Sequence, residues 1–154
     1  MRNALLSLLA VSALAAGPAF PQDAKEMKIA FDVTDGNPQA LILKLKVIDL
    51  TRKQLIESGV TPRMVIAFRG DASYYTQTNL AMVKEADRAD ALQIAAQLRE
   101  LKGAAGVETL EQCNVPLASR KLKPADLMPE VKLVPNGWIS LAAYQQKGYS
   151  YIVP

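Results

Sequence analysis

Short apolar runs alternate with longer segments of helical periodicity, and this alternation constrains the fold more than any other feature of the sequence. The runs are five to nine residues long, as strands are, whereas the longer segments repeat apolar residues every three to four positions. Strands are predicted at 27–33, 62–70, 106–113, 131–135 and 149–153. Helices are predicted at 38–58, 84–102, 116–122 and from Asn136 to Gly148. This β-α-β-α-β-α-β-α-β order predicts a single α/β domain over 27–154. Its five-stranded sheet should be mainly parallel, with helices on both faces.

The residues between these elements support the predicted boundaries. Asn37 followed by Pro38, and later Asn136, are typical helix starts, because an asparagine side chain caps backbone N–H groups and proline fits the first turn. Gly59 and Gly103 follow the first two long helices, as helix-ending glycines do. Residues 71–79 are predicted to form a polar loop, and residues 123–130 a short turn or helical piece.

The first 19 residues have the pattern of a secretory signal peptide. Arg2 precedes an uncharged apolar run over 4–16 that is too short to span a bilayer, and small residues then allow cleavage after Ala15 or Ala19. No cysteine follows this run, so a lipid anchor is not expected. We therefore expect a protein that is periplasmic or otherwise exported after signal-peptide cleavage, without a membrane anchor. The alternative is a buried N-terminal helix.

The chain contains no histidine and one cysteine, which excludes several kinds of site. Catalysis by Ser-His-Asp or Cys-His groups requires histidine, and a structural zinc site requires more ligands than one cysteine. The acidic stretch at 85–90 lacks the pattern of a cation-binding loop. The turn at 34–37 lacks a nucleotide-binding glycine motif. We expect no metal and no cofactor.

The charged residues do not indicate a nucleic-acid partner. The formal net charge is +3, and it falls to +2 without Arg2. Lysine and arginine are scattered among acidic residues, whereas nucleic-acid binding favours a concentrated basic surface.

Cys113 is the candidate reactive residue. In an open α/β sheet, ligands bind beyond the carboxyl ends of the strands, where the segments 34–37, 69–75, 112–115 and 135–138 should meet. A cysteine between a strand and the start of the next helix has its thiolate stabilised by unpaired backbone N–H groups. Glu111, on the same strand face, opposes this effect. The candidate substrate-binding residues around Cys113 are Arg69, Asn114, Arg120 and Asn136.

Other interpretations of these side chains remain open at this point. Free cysteine is often a small buried apolar residue, and a lone exported cysteine also forms intermolecular disulfides. Tyr74 and Tyr75 are expected to line a pocket or a subunit interface. Trp138 is expected in the core or at an interface rather than against a ligand.

The ordered set of segments resembles the DsrE/DsrF family of small sulfur-relay proteins, in its exported branch. The resemblance is carried by "KIAFDVTDGNP", "TRKQLIESGVTPRMVIAFRG", "LEQCNV" and "PEVKLVPNGWISLAAYQQKGYSYI". It implies a DsrE-like α/β sandwich around a five-stranded parallel sheet, and assembly as a homotrimer or homohexamer. It also implies that Cys113 is a persulfide carrier that exchanges sulfur with donor and acceptor proteins or with small sulfur compounds.

Two hypotheses of function follow. In the first, the protein is an exported sulfur-binding or sulfur-transfer protein that uses Cys113 as its only thiol. In the second, it is a non-catalytic oligomeric binding module in which Cys113 is only packed in the core.

Overall fold

A computed structural model describes residues 25–154 and places five parallel strands in one sheet, in the order β4-β3-β2-β1-β5. The strands are β1 (Glu26–Val33), β2 (Thr61–Phe68), β3 (Val107–Cys113), β4 (Val131–Val134) and β5 (Ser150–Ile152). The α-helices are α1 (Pro38–Glu57), α2 (Arg88–Gly103), α3 (Val115–Ser119) and α4 (Gly137–Gln146). The predicted fold is therefore confirmed. The predicted signal peptide lies outside the described residues.

The order of the strands explains why helices cover both faces of the sheet. From β1 to β4 the chain always steps in the same direction, so right-handed connections place α1 and α2 on one face, where they pack against each other. The connection through α4 returns across the sheet to place β5 beside β1. This reversal puts α4 on the opposite face, where it contacts β1, β2, β3 and β5.

The two faces of the sheet differ in chemistry. Between the sheet and the pair α1–α2 lies a large apolar core whose fully buried members include Leu41, Leu45, Ile94 and Leu98. The second apolar cluster, under α4, is much smaller, and its buried members are Ala30, Val65, Ala67, Leu141 and Tyr149. The face under α4 therefore has room for polar and charged side chains.

The predicted polar loop at 71–79 is more ordered and more buried than expected. A 3₁₀ helix spans Gly70–Thr76, and Tyr75 is buried with its hydroxyl donating to the Gly36 carbonyl at 3.0 Å. Tyr74 and Tyr75 both line a pocket beside this 3₁₀ helix, which agrees with the first of the two expectations for them. The buried Thr76 hydroxyl donates to Gln112 Oε1 at 2.8 Å, which satisfies a polar group that its surroundings would otherwise leave unpaired.

The first turns before α2 also differ from the prediction. Residues Glu85–Asp87 form a short 3₁₀ turn, so the α-helix begins at Arg88 rather than near residue 84.

Among residues 25–154, no helix combines the length and the apolarity that crossing a membrane requires.

Gly106, directly before β3, lies very close to Pro62 of β2. Its φ is +89°, and an added Cβ would lie 2.4 Å from Pro62 Cγ and 2.9 Å from the Pro62 carbonyl oxygen. Gly106→Ala should lower the free energy of unfolding by about 2 kcal/mol or more, because the left-handed backbone and the contact both disfavour a side chain. Urea denaturation measures this change.

Gly103→Ala is the matched control. Gly103 ends α2 without a positive φ, and no atom lies within 4 Å of an added Cβ. Alanine there should be neutral or stabilising by up to about 1 kcal/mol. Equal stabilities for Gly106→Ala and the unsubstituted protein would contradict the packing described here.

Candidate functional site

A pocket of about 240 Å³ lies beyond the carboxyl ends of β2, β3 and β4. It forms where three of the four segments expected at this edge come together, and the fourth, 34–37, does not contribute. The residues that line it are Arg69, Gly70, Cys113, Val115, Pro116, Ser119, Arg120, Asn136 and Trp138.

The Cys113 thiol accepts a hydrogen bond at this pocket. Cys113 is the last residue of β3, and the backbone N–H of Gly137, the first residue of α4, donates to its Sγ at 3.0 Å. The first N–H groups of a helix have no partner within the helix, so they are available to a thiolate or another anion. The expectation that the helix following Cys113 in the chain would supply this group is wrong, because α4, not α3, provides it.

Glycine at position 137 allows this close contact. An added Cβ would lie 3.0 Å from Cys113 Cβ and 2.6 Å from Arg69 Cδ. Both distances are shorter than side-chain carbons tolerate without displacement, so a larger residue would push α4 away from the thiol.

Cys113 is buried, with 4% of its surface exposed, although it borders the pocket. It belongs to neither of the two apolar clusters of the core. The side chain therefore lies between the protein interior and a cavity, rather than deep among apolar residues.

Arg69 is held beside Cys113 by an acidic residue of β1. Its Nε donates to Asp32 Oδ1 at 2.8 Å, and its Nη2 donates to Asp32 Oδ2. Asp32 is 1% exposed and also accepts a hydrogen bond from the Tyr151 hydroxyl. The hydrogen bonds with Asp32 raise the pKa of Arg69 above its ordinary value. The guanidinium carbon lies 5.4 Å from the centroid of the Trp138 ring, within range of a cation–π contact.

The structure brings three of the four candidate substrate-binding residues to the pocket. Arg120 lies at the end of α3, where its Nε donates to Asp71 Oδ1 at 2.8 Å. Asn136 caps α4, because its Oδ1 accepts from the Trp138 N–H at 2.9 Å. Asn114 is exposed and does not line the pocket, although its backbone N–H donates to the Val134 carbonyl.

Sequence reasoning missed three contributors to this site. Gly137 supplies the N–H donor, Asp32 holds Arg69, and Trp138 covers one side of the pocket. Trp138 is 70% exposed, so the expectation that it lies in the core is wrong, and its place at an interface stays a prediction. Two signals in the sequence point to these contributors: Gly137 directly follows Asn136, a capping asparagine, and Asp32 lies inside the apolar strand β1.

Glu111 links α4 to the strand that carries Cys113. It is 2% exposed, and its two carboxylate oxygens accept from Ser140 Oγ and from the Tyr144 hydroxyl. These donors are four residues apart on α4, so the carboxylate fixes the position of the helix along β3. Burial, together with the hydrogen bond to Glu111, raises the pKa of Tyr144 above its ordinary value.

A second hydroxyl–carboxylate contact lies on the same face. The Tyr149 hydroxyl donates to Glu108, which also pairs with Arg63 at 2.5 Å. Burial is the main cause that raises the pKa of Tyr149 to about 12, and the hydrogen bond to Glu108 adds to it.

In the part of the chain that the structure describes, no group of three acidic or cysteine side chains is arranged to hold a metal ion.

A family model described as the DsrE/DsrF-like family matches residues 27–154. The chain belongs to this family. The DsrE/DsrF-like family is generally linked to sulfur relay, and the resemblance recognised in the sequence is thereby confirmed.

One relative of this DsrE/DsrF-like chain is an uncharacterized protein of Aquifex aeolicus (strain VF5). The two are 30% identical over 129 residues, which is 84% of this chain and 56% of the relative. The chain thus spans little more than half the length of this relative.

Two solved structures have the same fold. One is the protein of unknown function MTH1491 from Methanobacterium thermoautotrophicum, with a TM-score of 0.59 and 16% identity over 83% of this chain and 99% of that one. The other is the ychN protein of E. coli, with a TM-score of 0.52 and 18% identity over 82% and 98%. At these identities the similarity establishes the fold.

Gly137→Ala tests the contact between α4 and the thiol. The added Cβ should displace the Gly137 N–H from Sγ and so remove a hydrogen bond that favours the reactive thiolate. We expect alkylation of Cys113 by iodoacetamide at neutral pH to slow about fivefold, which corresponds to about 1 kcal/mol for one hydrogen bond. Rates are measured by intact mass.

Ala143→Gly is the matched control for this variant. Ala143 is exposed on α4 and does not line the pocket, so glycine there loosens the helix by about 1 kcal/mol without adding an atom beside Cys113. If both variants slow alkylation equally, the effect comes from helix stability and the proposed contact is contradicted.

Proposed function

We propose that this protein is a single-cysteine sulfur carrier in which Cys113 holds the sulfur atom. One observation supports the proposal above the others: the only thiol of a DsrE/DsrF-like chain borders a pocket and accepts the N–H of Gly137. A helix-terminal N–H stabilises a thiolate and a persulfide alike, because both are anions at neutral pH.

The proposed reaction is a transfer of sulfane sulfur between thiols. The Cys113 thiolate attacks the outer sulfur of a persulfide R–S–SH, and a new S–S bond forms as the S–S bond of the donor breaks. The electron pair leaves with R–S⁻, and Cys113 becomes Cys113–S–SH. A second thiolate then attacks the outer sulfur and releases the Cys113 thiolate, so the cycle needs no external oxidant or reductant.

The alternative function is a non-catalytic binding module in which Cys113 is only packed. The 4% exposure of Cys113 favours this alternative, because a buried thiol is shielded from reagents in solution. The two functions differ in whether the native protein reacts at Cys113.

We also propose that the protein is exported after cleavage of residues 1–19 and that it assembles as a homotrimer or homohexamer. The apolar run at 4–16 supports export. Exposed apolar side chains on α4 and at edge strand β5, namely Trp138, Ile139 and Tyr151, support assembly. N-terminal sequencing of protein from the producing cell tests export, and an intact Met1 would contradict it.

Light scattering tests the assembly, and a monomer at micromolar concentration would contradict it.

Sulfur loading of the native protein tests the carrier function. After incubation with polysulfide and removal of excess reagent, intact mass should increase by about 32 Da for one added sulfur atom. Cys113→Ser should abolish the adduct and leave the fold unchanged, because serine is nearly the same size as cysteine.

The unfolded chain provides the reference for accessibility. The same protein in denaturant exposes Cys113 fully, so a native loading rate within about tenfold of the unfolded rate indicates a working thiol. An adduct that forms only in denaturant would reject the carrier function and support the binding module.

A further inference from the structure

We propose that the pocket beside Cys113 selects small, uncharged sulfur compounds and disfavours anionic ones. This inference rests on the proposed carrier function and adds the class of molecule that the pocket accepts. It follows from how the charges around the pocket are paired, from the polar groups that remain, and from the size of the cavity.

Both arginines that line the pocket are already neutralised by the protein. Arg69 is bound through two of its nitrogens by Asp32, which is almost fully buried. Arg120 is bound by Asp71, with Nε and Nη2 at 2.8 and 2.7 Å from Oδ1. Two paired arginines attract an anionic ligand far less than two free ones, because each charge is opposed at contact distance.

Glu111 adds an acidic side chain to the strand that carries the thiol. It lies two residues before Cys113 in β3, and like Cys113 it contacts α4. Its observed partners are two hydroxyl groups, and among the described residues it forms no ion pair. The formal charges of Arg69, Arg120, Asp32 and Asp71 sum to zero, so Glu111 brings the sum over these five side chains to −1. That charge opposes the approach of an anion.

Polar side chains of the pocket are also used within the protein. The Asn136 side-chain oxygen caps α4, and the Ser119 hydroxyl donates to the Pro116 carbonyl while accepting from Arg120 Nη1. The surface that remains for a ligand is formed mainly by Val115, Pro116 and Trp138, which are apolar or aromatic. Such a lining binds a ligand by shape and contact area rather than by charge.

The size of the cavity limits the ligand further. Its volume of about 240 Å³ is below the range of roughly 300–1,000 Å³ that is usual for sites of drug-sized ligands. A dialkyl polysulfide with short alkyl groups, which carries no charge, therefore fits this pocket better than a sulfur donor that carries carboxylates or a sulfonate.

Three methanethiosulfonate reagents of similar size separate the effect of charge from that of reactivity. Their 2-hydroxyethyl, 2-sulfonatoethyl and 2-aminoethyl groups are neutral, anionic and cationic. Each converts Cys113 to a mixed disulfide as methanesulfinate leaves. Each rate on the native protein is divided by the rate on the peptide TLEQCNVP, which has the same sequence around the cysteine. We expect this ratio to be at least about fivefold higher for the neutral reagent than for the anionic one.

Asp71→Asn tests the cause of the selectivity. It removes the carboxylate that neutralises Arg120, so the preference for the neutral over the anionic reagent should fall about threefold. Glu100→Gln is the matched control, because it removes the same charge from an exposed position on α2, away from the pocket, and should leave the preference unchanged.

The outcomes separate this inference from the function on which it rests. If the anionic reagent reacts as fast as the neutral one or faster, or if Glu100→Gln changes the preference as much as Asp71→Asn, the inference is overturned while the carrier function stands. If the native protein reacts with none of the three reagents, the carrier function and the inference fail together.

Discussion

Parallel pairing of all five strands is the constraint on which the rest of this structure depends. Each parallel neighbour must be reached by a crossover, so the chain alternates between strand and helix and all strands end at the same edge of the sheet. That edge collects the segments that follow β2, β3 and β4, and the pocket beside Cys113 forms among them. The location of the pocket is therefore determined by the topology of the sheet rather than by any single side chain.

The unequal faces of the sheet then determine what the site contains. The face covered by α1 and α2 is apolar and supplies most of the buried hydrophobic surface, whereas the face under α4 buries Asp32 and Glu111. A buried carboxylate is costly unless it is hydrogen-bonded, and each of these two has at least two donors. The same contacts place Arg69 and the first turn of α4 around the thiol.

Much of the fold was predictable from the sequence, because periodicity and capping residues are local signals. The parallel sheet with helices on both faces followed from the alternation of strands and helices along the chain, and the positions of Cys113, Arg69 and Asn136 at one edge followed from the strand ends. The contacts that make the site were not predictable, since they join distant residues: Gly137 reaches Cys113 across 24 positions and Asp32 reaches Arg69 across 37. The exposure of Trp138 was not predictable for the same reason, because burial depends on which elements pack above a residue.

The stacking of Trp138 on Arg69 has a practical consequence. Trp138 is the sole tryptophan of the chain, and its indole ring forms one side of the pocket while remaining largely open to solvent. Its fluorescence emission therefore originates at this one place in the molecule. A compound that enters the pocket must alter the surroundings of the indole, so the unlabelled protein carries its own optical reporter of occupancy.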